Sequence, residues 1–513
     1  MSFRLIVLAG AAGIALASGA EAADLPSRHA APTVDYVRVC TAYGAGYFTI
    51  PGTNTCLRIG GAVRASYTVR PAAPSNTLNQ ASTNIAQAPY PRSAYYDHAR
   101  AYLNLDVRSE TDYGPLSATI SERMTYDSLP ATPYGGGKAY LNGAAGVYTS
   151  YGTFQGTPSA QNWFDAAYVQ WAGITAGVKH SYFDFYTHSY EIQAVSLGVS
   201  DQPLPLIAYT LALGSGLSAS ISAEDSTFRD LGDGQEDIGL NQNNPKNATT
   251  DAFLAYGGER APDIVGNLHA EGPWGSAQIA GALHEVNSAP IYGCSSATAL
   301  VLPEVANCAT GTGRKYYLPL GYTPSPVWGF AVMGGAKINL DAVNKGDSAT
   351  VQVSYDQGAT DYLNSEATGY AGMTSVYDKD QSIAVPGNDA FVTPTGQIVL
   401  SRAAGLFAGY QHYWTPSVHS DLFGSYMEIT NPDYAENLSS SAASAHIWDL
   451  GANVFWNPVR NLEFGLEVVY TNLALSAPAS TLVTYTPNGT SKTEVVPADS
   501  SDVRGRFRIQ YRF

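Results

Sequence analysis

Val503-Arg504-Gly505-Arg506-Phe507-Arg508-Ile509-Gln510-Tyr511-Arg512-Phe513 closes the chain and alternates strictly. A strand has a side-chain period of two, so Val503, Phe507, Ile509, Tyr511 and Phe513 share one face. Arg504, Arg506, Arg508, Gln510 and Arg512 share the other, which therefore carries four guanidiniums. About 9–11 residues is the length a tilted strand needs to cross a bilayer. An apolar face toward lipid and a charged face toward water describe the wall of a water-filled transmembrane barrel. The competing reading is an edge strand of a soluble sandwich, with its polar face in bulk water. The rest of the chain decides between them.

The 513 residues keep one texture from end to end, with 50 Gly, 35 Tyr and only 14% charged residues. No linker, long helical pattern or solenoid repeat divides them. The net charge of −16 argues against nucleic acid as a partner. Mean hydropathy is −0.10, as expected when apolar character sits in every second residue. Arg4, the apolar run Leu5–Ala17 and Ala20-Glu21-Ala22 read as a secretory signal covering residues 1–22.

Export permits disulfides. Local pairing, Cys40 with Cys56 and Cys294 with Cys308, is the simplest of the three connectivities open to four cysteines. A metal site is the rival reading, and it lacks Cys-x-x-Cys spacing and nearby histidines.

Candidate strands run through the whole chain. Leu57–Arg70 puts Leu57, Ile59, Val63, Ala65, Tyr67 and Val69 on one face and Arg58, Arg64 and Arg70 on the other. Arg100–Glu110 turns Leu103, Leu105 and Val107 outward and Arg100, Asn104, Asp106 and Arg108 inward. A tight turn at Thr111–Pro115 leads to a strand with Arg123 on its polar side. Further hairpins turn at Ala172-Gly173, Gly214–Gly216, Gly272-Pro273, Lys345–Asp347, Thr415–Ser417 and Asn457–Val459. Leu462, Phe464, Leu466, Val468 and Tyr470 alternate with Glu463 and Glu467 inward. The count is sixteen strands, joined by seven tight turns and eight long connections. Short turns on one rim and long loops on the other are the signature of an antiparallel transmembrane barrel. Aromatic residues at 11%, mostly Tyr, suit girdles at the two membrane interfaces.

Barrel closure pairs the last strand with the first. Arg504, Arg506, Arg508 and Arg512 then stand beside Arg58, Arg64 and Arg70, next to Arg100, Arg108 and Arg123. Ten of the 27 basic residues would share one stretch of lumen wall, tolerable only if it faces water. No enzyme constellation is present: there is no HExxH, no GxSxG and no phosphate-cradling glycine loop. The nine histidines are scattered, and neither a metal nor a cofactor is expected.

Four stretches resemble the sixteen-stranded trimeric porins of alphaproteobacteria, of the Brucella and rhizobial type. They are Val37–Cys40 with Tyr43–Phe48, Ile50-Pro51-Gly52 and Thr55–Gly61, then Ser181-Tyr182-Phe183-Asp184-Phe185, then Ala261–Leu268 with Trp274–Ile279, and the closing strand. The resemblance implies a periplasmic amino-terminal segment over residues 23–56, joined by the Cys40 and Cys56 motif to a barrel over 57–513. It also implies short periplasmic turns, long extracellular loops and a third loop, about His180–Leu204, folded into the lumen. Asp184, Glu191 and Asp201 would then be constriction-loop acids facing the basic wall, setting up a transverse field at the narrowest point. Cys294 and Cys308 fall in an enlarged loop that the resemblance does not cover, as do most of 226–262, 287–327 and 357–401.

The implied protein is an outer-membrane general diffusion porin of a Gram-negative cell. It would be a homotrimer set in lipid and lipopolysaccharide, passing small hydrophilic solutes and ions passively. A substrate-selective channel and a structural or adhesive barrel are the alternatives.

Overall fold

A computed structural model describes residues 38–69, 95–127, 159–230, 256–289, 322–363, 373–436, 444–476, 482–485, 492–495 and 499–513, apart from isolated positions at 194, 259, 379–380, 387 and 394. Arg70, Cys294, Cys308 and the expected signal segment lie outside them.

Sixteen long strands form one antiparallel sheet. In chain order they are β1 (Cys56–Val69), β2 (Tyr95–Thr111), β3 (Gly114–Asp127), β4 (Ser159–Trp171), β5 (Ile174–His180), β6 (Pro203–Gly214), β7 (Leu217–Glu224) and β8 (Asp263–Gly272). They continue as β9 (Gly275–Val286), β10 (Val327–Asn339), β11 (Ser348–Gln357), β12 (Arg402–Thr415), β13 (Val418–Thr430), β14 (Ala445–Val459), β15 (Leu462–Leu475) and β16 (Asp499–Arg512). Each pairs with its sequence neighbours, and β16 pairs back onto β1 through Arg506↔Thr68, Arg508↔Ser66, Gln510↔Arg64 and Arg512↔Ala62. That last ladder closes the sheet and leaves it no edge. Phe513 adds a reciprocal pair of backbone bonds with Gly61, each 3.0 Å.

The pleat has the expected parity. Val503, Phe507, Ile509 and Tyr511 are exposed on the outer face of β16, while Arg508 and Gln510 are buried on its inner face. The same alternation exposes Val63 and Tyr67 on β1, Leu211 on β6, Val353 on β11 and Leu466 on β15. This apolar outer belt is stable only against hydrocarbon. Trp171, Trp274, Trp414, Trp456 and Tyr511 stand exposed at or near the short-turn rim, the amphipathic ring that a membrane interface favours.

One turn differs from the sequence reading. The β14–β15 reversal lies at Arg460-Asn461, with Asn461 at φ 69°, rather than at Asn457–Val459. Pro458 instead sits where the β14–β15 register slips between Trp456 and Val459. Proline has no N–H to give the ladder, and an irregularity is where a strand tolerates it.

Ahead of the barrel, Arg38–Val39 pairs with Phe48–Thr49, which pairs with the start of β1. Cys40 and Cys56 form a disulfide that fastens this small ribbon to the short-turn rim.

Candidate functional site

The third long connection, Ser181–Gln202, turns inward and lies on the lumen face of β10–β15. Its course is fixed by backbone groups meeting inward side chains. The Tyr186 N–H donates to Gln352 on β11 at 3.1 Å, and the Tyr190 hydroxyl meets Ser348 and Thr350 at 3.0 and 2.8 Å. Asn453 on β14 donates to the Tyr190 carbonyl at 2.6 Å. At the far end of the loop, Glu467 on β15 accepts the N–H groups of Ile192 and Gln193 at 2.6 and 2.9 Å. The Leu197 N–H donates to the Ser425 hydroxyl on β13 at 2.8 Å.

The barrel wall leaves room for this loop. A side chain at Gly405 on β12 would collide with the backbone of Gly198, which itself holds φ 73°. A Cβ at Gly409 would lie 2.5 Å from the Tyr190 ring, and one at Gly465 would lie 2.7 Å from Ile192. Beside these glycines and the polar anchors, the inner face carries an apolar patch. Met333, Phe407, Phe423, Met427, Ile447 and Leu473 are buried among loop residues such as Phe183 and Tyr190. Tyr186 stacks on Phe407 with ring centres 3.7 Å apart. Burying an aromatic face this way contributes roughly 2 kcal/mol per side chain, and several such faces hold the loop down.

Opposite the loop stand the arginines. All nine described members of the sequence set point inward, and the closing register makes them neighbours. Arg64 lies directly across from Arg100, and Arg508 and Arg512 are one strand over. They are not a bare cationic surface. Asp106 lies 3.2 Å from Arg58 and 3.1 Å from Arg108. Glu463 takes Arg508 at 2.7 Å and Arg512 at 3.1 Å. Asp502 pairs with Arg504 at 2.8 Å, and Asp165, the extra residue where β4 slips against β3, pairs with Arg123 at 3.2 Å.

The middle of the wall differs. Arg64 donates to Gln510 at 2.7 Å, and Arg100 donates to Thr125 at 3.0 Å and to the Tyr102 hydroxyl at 3.2 Å. Arg506 donates to Thr68 at 2.7 Å and reaches the Ile192 carbonyl of the loop at 3.3 Å. The side chains of Arg58 and Arg108 are 51% and 41% exposed although they point inward, so this face is wet.

The three loop acids occupy distinct places. Glu191 is buried inside the loop. Its carboxylate accepts from the N–H groups of Val195 and Ser196 at 2.6 and 3.0 Å and from the Tyr186 hydroxyl at 3.0 Å. Burial works against its ionisation, but His188 and Ser196 more than offset this and hold its pKa below the usual carboxylate range. Asp184 is also enclosed, accepting from the Ser200 hydroxyl and from the Gln202 N–H. Asp201 is partly exposed and lies 2.9 Å from His180. Burial opposes its ionisation too, while His180, His188 and, from the wall, Arg123 lower its pKa.

Other groups meet here without any spacing in the sequence to announce them. Arg229, fully buried, lies 3.1 Å from Asp361 and 3.5 Å from Asp184. His284 is 2.8 Å from Asp263, which also accepts the Tyr362 hydroxyl at 2.7 Å. Tyr256 donates to Asp389 at 2.7 Å. This knot ties the root of the third loop to the segments that follow β7 and β11. Asp263 and His284 come from β8 and β9, and the other members come from connections whose lengths carry no periodic signal.

The amino-terminal ribbon docks at the foot of the arginine wall. The Tyr47 hydroxyl donates to Asp106 at 2.6 Å, and Arg58 lies over the Tyr47 ring at 5.0 Å. Tyr43 donates to Glu110 at 2.7 Å, and this acceptor, with burial second, pushes the Tyr43 pKa up to about 12.

Comparison with known proteins gives a consistent picture. Residues 24–505 match the family model described as "Porin subfamily". Porin Omp2b of Brucella suis biovar 1 is 31% identical over 279 residues, which is 54% of this chain and 64% of that protein. Porin Omp2b of Brucella canis is 32% identical over 279 residues, with the same two shares. The chain thus spans 64% of the length of these curated relatives. In fold alone, it is similar to the outer membrane channel DcaP of Acinetobacter baumannii, with a TM-score of 0.53 at 13% identity, covering 91% of this chain and 99% of that one.

Proposed function

The chain belongs to the porin subfamily of outer-membrane barrels, and from that premise we propose that it is a general diffusion porin. In this reading it passes small hydrophilic solutes and ions passively, as a homotrimer set in outer-membrane lipid and lipopolysaccharide. One observation carries the reading. The third loop lies against β10–β15 and leaves the inward arginines of β1–β3 facing water across from it. A loop that narrows the lumen without filling it gives a passage with two chemically different sides. Fixed charges and hydroxyls there orient polar solutes, while an apolar solute displaces ordered water with no return.

The wall arginines act in this reading as a static field and not as reagents. Pairs such as Arg508 with Glu463 hold their charge in place, and Arg64 and Arg100, bonded to neutral partners, supply the net positive potential. Asp201, through its nearness to Arg123, supplies the loop's side of the field. The channel role leaves no task for a catalytic group.

Planar-bilayer recording tests the proposal. Purified protein should give large, open, ohmic steps, whereas an absence of conductance means an occluded structural barrel. Block of current by one particular solute would mean a substrate-selective channel.

A further inference from the structure

The neck of the third loop, where it leaves β5 and returns to β6, brings three metal-competent side chains together. His180 ends β5, Asp184 sits four residues into the loop and Asp201 lies near its end. His180 Nδ1 is 2.9 Å from Asp201 Oδ1 and 3.7 Å from Asp184 Oδ2, and all three ligand atoms lie within 4.8 Å of one another. Bond lengths near 2.0–2.2 Å put two ligands on a tetrahedral ion about 3.3 Å apart. The two measured separations bracket that value, so small side-chain rotations suffice to seat an ion.

We propose that His180, Asp184 and Asp201 form a binding site for a divalent first-row transition metal, zinc foremost, that clamps the two ends of the constriction loop together. One imidazole and two carboxylates are the donor set of such ions rather than of calcium, which prefers six to eight oxygens. Three protein ligands leave the fourth position to water, and the 43% exposure of the His180 side chain supplies the open side. The carboxylate behind the site is already oriented. Asp184 Oδ1 accepts from the Ser200 hydroxyl and lies 3.5 Å from Arg229, while Oδ2, the oxygen toward His180, accepts the Gln202 N–H. Such outer contacts fix a ligand's direction before an ion arrives. Arg229 and Arg123 add positive charge nearby, which sets the affinity below that of a closed structural site.

The effect of occupancy follows from topology. Residues 181–200 form a long excursion whose two ends meet only at this neck. The β5–β6 ladder, ending at His180↔Pro203, and the Ser181 N–H to the Gln202 carbonyl already join these ends, and an ion on His180, Asp184 and Asp201 adds a side-chain clamp that stiffens the loop's root.

Titrating full-length folded protein near neutral pH with Co2+, followed by Zn2+, tests the site without reference to conductance. One Co2+ per chain is expected, with the visible absorption of a four-coordinate ion, displaced by Zn2+. His180→Gln and Asp201→Asn should each weaken uptake by about 10-fold or more. The wild-type measurement can overturn the proposal alone, if no stoichiometric uptake occurs and a proton on His180 is all the site holds. Uptake that persists unchanged in either variant overturns it as well. None of these outcomes bears on whether the barrel conducts.

Discussion

The lumen faces of β1–β3 and of β10–β15 come from strands of the same pleat, yet they are finished in opposite ways. One presents Arg58, Arg64, Arg100, Arg108 and Arg123 toward water. The other presents Gly405, Gly409 and Gly465 with Phe407, Phe423 and Leu473 toward a folded loop. The difference shows that facing inward does not by itself mean facing water. On β10–β15 the inside is a dry interface, and residues there obey core packing. On β1–β3 it is a solvated surface, where long cations keep their hydration.

Removing Glu467 should break the comparison most severely. Glu467→Ala leaves the N–H groups of Ile192 and Gln193 without their acceptor in a buried setting. Each such loss costs about 1–3 kcal/mol, so the loop should detach from β15 and the channel become noisy or wider. Single-channel traces indistinguishable from wild type would mean that the loop is held by packing alone.

Crowding the dry face is the next test. Gly405→Val forces a side chain against Gly198 and should cost about 1–3 kcal/mol, read as a lower midpoint in heat-modifiability on unboiled gels. An unchanged midpoint would show that the loop yields there freely.

On the wet face, the effect should fall on selectivity. Arg64→Ser with Arg100→Ser removes two wall cations bonded to neutral partners and should raise the cation-to-anion permeability ratio roughly twofold or more. The change should shrink in 1 M salt, where the Debye length is about 3 Å. Arg506→Ser with Arg508→Ser should act in the same direction, because Glu463 then loses one of its two partners. Reversal potentials that stay fixed in both doubles would place the constriction elsewhere.

The smallest effect concerns pH at the turn between β10 and β11. Burial opposes ionisation of Asp347, but the Tyr413 N–H, His412 and the Tyr410 hydroxyl outweigh it and leave its pKa below the usual value. The unfolded group titrates near 3.9. Its stabilising contribution is therefore fully present above that pH and is lost as pH falls through the lower folded value. Asp347→Asn should flatten the acid limb of the stability profile, and an acid limb identical to wild type would rule out this carboxylate.

Much of this was legible in the chain itself. Strand number, rim alternation and the inward parity of Arg504–Arg512 follow from a period of two and from turn residues, which are local properties. Glu463 and Glu467 were also visible as inward acids, but not their different tasks. Glu463 neutralises wall arginines, while Glu467 anchors the loop, a choice made by what lies across the lumen. Glu191 shows the same limit. Its place in the third loop could be read by resemblance, whereas its burial among Tyr186, Val195 and Ser196 depends on how the loop coils on itself.

The sequence by itself determined a closed, lipid-facing barrel with a cationic strand at its seam, because alternation along one strand is encoded by adjacent residues. Only the tertiary structure decided which inward face is wet, which acid meets which arginine, and that His180, Asp184 and Asp201 converge. Apart from Arg108 with Asp106 and Arg504 with Asp502, two residues apart on one strand face, those relations join neighbouring strands, the two ends of one loop, or the two sides of the barrel's closure, and no local period records them. The closing ladder of β16 on β1 brings Gln510 to Arg64, and the inward turn after β5 brings Glu467 to Ile192.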